Sequence, residues 1–165
     1  MKKWIGALCS ALAGALTLVF LALPGIVTKV LGTTENVSGW RMLTEGKADM
    51  TATTWYRIFA WIMVVLAIVL IVLAVLQILA NLNIIKMPEI LAKVNNFALI
   101  ALVLVSILAL VANFGIRAEM IDDAGGKDVL KLLDASVSVG ASLWLVSIVN
   151  LVAAACANVF AKAKK

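Results

Sequence analysis

Residues 58–85 read IFAWIMVVLAIVLIVLAVLQILANLNII, an uncharged stretch dominated by Ile, Leu, Val and Ala. A bilayer core takes about 20 apolar residues of helix to cross, and uncharged runs this long are rare in soluble cores. Three further runs of the same kind flank it: Trp4 to Leu23, Phe97 to Ile116, and Ala135 to Ala161. None of the four holds Asp, Glu, Lys, Arg or His. Membrane strands would alternate polar and apolar residues in segments of about ten, and these solid runs do not. A helix satisfies its own backbone in lipid, so helices are the reading that remains.

The composition agrees. Of 165 residues 64% are apolar and 14% charged, with a mean hydropathy of +1.11, outside the range of soluble domains. The expectation is an all-α membrane protein: one domain of four transmembrane helices in an up-down bundle, with a small β-hairpin-like loop outside the membrane between helices one and two. The spans fall at about 4–23, 57–82, 97–116 and 135–161, the outer loops at 24–56 and 117–134, and the inner loop at 83–96. The start, MKKWIGALCSALAGALTLVF, reads as a span and not as a cleaved leader. Its apolar stretch is about twice the usual signal length and no A-x-A site follows. A lipoprotein signal is disfavoured too, because Leu8 precedes Cys9.

Four crossings put both termini on one side. Lys2, Lys3, Lys86, Lys93, Lys162, Lys164 and Lys165 share that side, against Lys29, Arg41, Lys47, Arg57, Arg117, Lys127 and Lys131 on the other. Basic residues alone therefore tie. Eight of the nine acids lie on the second side, with Glu89 the exception, so the terminal side is the more positive and is expected to be cytoplasmic in the plasma membrane. The net charge of +5 then implies affinity for anionic inner-leaflet lipid. Nucleic acid is not an expected partner, since no basic stripe falls on a soluble face. Trp55, Tyr56 and Trp61 crowd one end of the second span, Trp144 lies a few turns into the fourth, and Trp4 sits at the inner end of the first, where interfacial rings belong.

Without a hydrophobic drive in lipid, helices associate through small residues. The first span carries Gly6, Ser10 and Gly14 at four-residue spacing, and the fourth carries Ser136, Gly140, Ser138 and Ser142. These two are expected to pair tightly, within one chain or between copies. The second span has no Gly from Ile62 to Leu76 and is expected to face lipid or a loose partner. The mid-membrane polar residues are Gln77, Ser106, Asn113 and Asn150, read as interhelical glue, with a hydrophilic path as the alternative. Cys9 and Cys156 read as small buried apolar residues, with S-acylation the other option.

In the first outer loop, Ile26–Leu31 and Val37–Leu43 read as two strands around a turn at Gly32–Asn36. Trp40 either anchors that hairpin on the helix tops or, with Arg41, contacts a partner. Thr51, Thr53 or Thr54 could cap the second span. Asn36-Val37-Ser38 is a weak glycosylation sequon. In the second outer loop, Asp122, Asp123 and Asp128 surround Gly125 and Gly126 without the calcium-loop pattern, and Asp128 reads as the N-cap of the fourth helix.

Short inner termini, a long first outer loop holding Ser38-Gly39-Trp40, and a shorter second outer loop resemble the claudin-type tetraspan layout. That family carries a Trp, then Gly-Leu-Trp, then paired cysteines; the loop cysteines are absent here. The chain is more similar to uncharacterised small four-span membrane proteins of Gram-positive bacteria, with a basic start and a Ser-Gly-Trp element in the first outer loop. That resemblance implies an architecture and no activity.

The expected function is non-enzymatic: a structural or accessory protein acting by lateral self-association or as a subunit of a larger membrane complex, with membrane lipids as its other partners. A small channel, holin-like pore or transporter subunit is the alternative. With no His and no intramembrane acid, the parts for catalysis, a metal or another cofactor are missing, and no small-molecule substrate is suggested.

Overall fold

The computed structural model describes residues 2–45, 51–86 and 88–162, with backbone alone at Lys2, Lys3, Glu89 and 160–162. Lys47, Asp49, Lys164 and Lys165, which enter the charge balance above, lie outside the described residues. The chain runs α1 (Lys2–Phe20), β1 (Pro24–Val30), β2 (Thr33–Ser38), α2 (Gly39–Glu45), α3 (Thr51–Asn81), α4 (Glu89–Asp123), α5 (Lys127–Leu132), β3 (Ala135–Val139) and α6 (Ser142–Lys162). It is mostly helical, and α3, α4 and α6 are long and apolar enough to cross a membrane. The apolar part of α1, Trp4–Phe20, is shorter.

The long helices pack in a ring, α1 and α4 each lying against both α3 and α6. Buried positions three and four residues apart run along each of them. In α1 they are Ala7, Ser10, Gly14 and Thr17, continued by Leu21 just past its end; in α3, Thr53, Tyr56, Ala60, Met63, Ala67, Leu70 and Ala74. In α4 they are Asn95, Leu99, Leu102, Ser106, Ala109, Asn113 and Ile116; in α6, Leu143, Val146, Asn150 and Ala153. A strict 3.5-residue repeat keeps one seam facing inward when helices cross at about 20° with a left-handed twist. The first and last long helices do lie together, but the Gly14 part of the stripe does not serve that contact. Gly14 faces α3, where an added Cβ would lie 2.6 Å from the Ala67 carbonyl oxygen and 2.7 Å from Ile71 Cγ1. The close approach that Gly14 permits is met by Ala67, which with Ala60 and Ala74 forms a series of buried small residues seven apart on α3.

Above the ring lies a three-stranded antiparallel sheet in the order β2-β1-β3. The β1–β2 turn is Leu31-Gly32, with φ of 48° and 80°, the left-handed pair of a tight hairpin. The hairpin is therefore shorter and earlier than Ile26–Leu31 with Val37–Leu43. Ser38 ends β2, its Oγ accepts from Arg41 N–H at 3.2 Å, and residues 39–45 turn into α2. Trp40 thus sits on a helix.

The larger correction concerns residues 135–141. They form no part of the last helix: Ala135–Val139 pairs with β1, Val30 opposite Ala135 through Ile26 opposite Val139. The reason is legible in ASVSV, whose small-polar and β-branched residues alternate with period two. Gly140 closes this strand. Its N–H donates to the Gly25 carbonyl at 2.8 Å, and a side chain there would run into the Pro24 carbonyl, so it serves the sheet–helix junction and not a helix stripe. Asp128 likewise lies inside the short α5, whose N-cap is Gly126, and Asp134 reverses the chain into β3 at a φ of 46°.

Candidate interaction site at the sheet-capped end

The sheet is bolted to the helices by side chains that bind backbone. Asn113, fully buried on α4, donates through Nδ2 to the Gly25 carbonyl at 3.0 Å, beside the Gly140 N–H on the same oxygen. One turn on, Arg117 Nε donates to the Val137 carbonyl of β3 at 2.8 Å. Both oxygens of Glu119 accept the Ala52 N–H, at 3.1 and 3.2 Å, and so satisfy an orphan amide in the first turn of α3. Arg57 Nε and Nη2 donate to the carbonyls of Leu43 and Thr44 at 3.0 and 2.8 Å, closing the end of α2. Tyr56, buried, donates its hydroxyl to the Gly39 carbonyl at 3.2 Å. Asn113 was expected as mid-membrane interhelical glue and Tyr56 as an interfacial ring; Arg57, Arg117 and Glu119 entered only the charge balance, and their signal was position, charged groups at the ends of uncharged runs.

Trp40 and Arg41 part company. Trp40 is half-buried and its Nε1–H donates to the Leu18 carbonyl at 3.1 Å, satisfying an acceptor near the end of α1. Arg41 is exposed and donates through Nε to Glu45 Oε2 at 2.7 Å, a contact that raises an already high guanidinium pKa. At the far end of the sheet, two chain segments bring apolar residues to solvent: Val30 and Leu31 at the hairpin turn, Leu132 and Leu133 at the end of α5. Leu31 is 75% and Leu132 86% exposed, and Leu31 holds a left-handed backbone that a Leu adopts at a cost.

Lower in the ring the polar residues behave differently. Ser106 donates to Val103 of its own helix at 2.8 Å and Ser10 to Gly6 at 3.0 Å. Gln77 is partly buried, its Oε1 3.7 Å from where a Gly6 side chain would begin. The contact between helices is Thr17 Oγ1, which donates to Asn150 Oδ1 at 3.1 Å; Asn150 Nδ2 has no hydrogen-bond partner among the described residues. Ser142 is buried below Gly39, also without one. Ser10, Thr17, Ser106, Asn113 and Asn150 have no exposed surface, so no water-sized space adjoins them. Around this seam the outward positions of the same helices are Leu, Val and Ile: Leu12 and Val19, Val65 and Val72, Leu104 and Val111, Ile148 and Leu151. Trp55 stacks on Phe59 at 5.9 Å, and Trp144 meets Phe114 edge-on at 6.0 Å, toward the sheet end. Among the described residues no three or more of His, Cys, Asp and Glu gather as a metal would need. The chain matches no protein-family model, no curated protein and no solved structure.

Proposed function

We propose that this chain is an integral membrane protein of four crossings, with both termini in the cytoplasm, and that it acts as a structural or accessory subunit: it associates laterally with itself or with a larger membrane complex and presents its sheet-capped end outside. The observation that carries the reading is the inverted polarity of the ring. Small and hydrogen-bonding residues fill the seam while Leu, Val and Ile face outward, the arrangement lipid favours and water penalises. Aromatic residues at the sheet end fit a headgroup boundary. The apolar part of α1, about 26 Å long at 1.5 Å per residue, is extended by the buried Leu21 toward a 30 Å core.

Assembly is favoured over conduction because the seam is closed at Thr17, Ser106 and Asn150. The pore reading draws on the unpartnered Nδ2 of Asn150 and Oδ1 of Asn113, which a wetted state would satisfy. Gentle solubilisation from native membranes followed by mass spectrometry separates the two readings. Recovery of a stoichiometric homo-oligomer or a reproducible membrane-protein partner is expected. A lone monomer that releases small solutes from liposomes would favour the pore. Labelling Lys47 and Lys164 from outside intact cells tests the orientation, with Lys47 alone expected to react.

A further inference from the structure

The chain's two cysteines, Cys9 and Cys156, are both free and half-buried. They sit on α1 and α6, which run antiparallel, and the Thr17–Asn150 hydrogen bond fixes the relative height of the two helices. Cys9 is eight residues from Thr17 and Cys156 six from Asn150, both away from the sheet. At 1.5 Å per residue their heights differ by about 3 Å.

Helical rotation puts them on facing flanks. Cys9 shares a side of α1 with Ala13 and Phe20, away from Gly14, which packs on α3. Cys156 shares a side of α6 with Ser142, which lies under Gly39, and not with Trp144, which packs on Phe114 of α4.

We propose that Cys9 and Cys156 are a redox-closable pair that covalently joins the first and last helices. In the oxidation, a lipid-soluble two-electron acceptor of the quinone class takes both thiol hydrogens and two electrons, leaving one S–S bond and a quinol. No connecting segment joins α1 to α6, so the bond would close the ring at the seam where nothing covalent holds it. The pairing rests on how α1 packs against α6; the choice of oxidant alone rests on the membrane reading.

Membranes containing the chain are treated with menadione, denatured, and labelled with a maleimide-polyethylene glycol before non-reducing electrophoresis and peptide mapping. The expected result is loss of both alkylatable thiols from a chain that still runs as a monomer, with a Cys9–Cys156 linked peptide and full recovery by dithiothreitol. Cys9→Ser and Cys156→Ser each retain their remaining thiol. Two thiols that stay reactive under excess quinone overturn the proposal, as does a bond that links two chains. Closure by diamide in detergent but not by quinone in membranes overturns the quinone step.

Discussion

At mid-ring the polar side chains mostly serve their own helix, whereas at the sheet end they reach across to the backbone of another element. Ser10 and Ser106 each bond one turn back, and Thr17–Asn150 is the contact between helices. Asn113, Arg117, Glu119, Arg57 and Tyr56 all end on a carbonyl or amide of a different element. The difference follows from what each region has to satisfy. A helix supplies its own backbone bonds, so the seam asks only for small, complementary surfaces. Helix ends and short strands leave groups unpaired, and a buried unpaired group costs about 1–3 kcal/mol.

That contrast can be broken in order of expected effect. Gly14→Leu forces a side chain into the Ala67 carbonyl and Ile71 and should separate α1 from α3. Loss of the monodisperse peak in size-exclusion chromatography in detergent is expected, and unchanged elution with unchanged melting would remove the close approach of α1 and α3 from the account. Asn113→Leu leaves the Gly25 carbonyl with Gly140 alone and should cost about 1 kcal/mol or somewhat more, read as a lower thermal midpoint. Tyr56→Phe removes the hydroxyl's bond to the Gly39 carbonyl for about 1 kcal/mol. Asn150→Leu should cost less than either, about 0.6 kcal/mol, the average for one hydrogen bond between helices in lipid. If Asn150→Leu proves as damaging as Asn113→Leu, the distinction between seam and cap fails. Arg41→Ala should leave the midpoint where it was, because its partner Glu45 is one turn away in water.

The helices were legible because absence of charge over twenty residues is a local property. The seam was only half legible. Gly6, Ser10 and Gly14 announce themselves, but Ala60, Ala67 and Ala74 hide in a run whose other members are large, and their spacing matters only once a partner is known. The hairpin was misplaced by a few residues because the β-branched stretch continues past the Leu31-Gly32 turn, and Leu is a poor advertisement for a left-handed position. Strand β3 was lost because an uncharged ASVSV next to an uncharged helix reads as its first turns. Its alternation gains meaning from β1, far off in sequence. Of the two readings of Trp40 the inward one matches its geometry, since its ring N–H ends on Leu18, while Leu31 and Leu132 at the sheet tip stay exposed.

Because β1 sits in the middle of the sheet, its two edges are filled at very different moments of synthesis. Thr33–Ser38 emerges immediately after it, but Ser138, whose hydroxyl reaches the Val27 carbonyl, lies 111 residues downstream. Until α3, α4 and α5 have left the ribosome, one side of β1 is a bare row of amides and carbonyls, an invitation to any other extended chain nearby. The sheet is therefore a mark of completed biogenesis: a chain interrupted before Ala135 leaves β1 as an open edge, and a finished one pairs it on both sides.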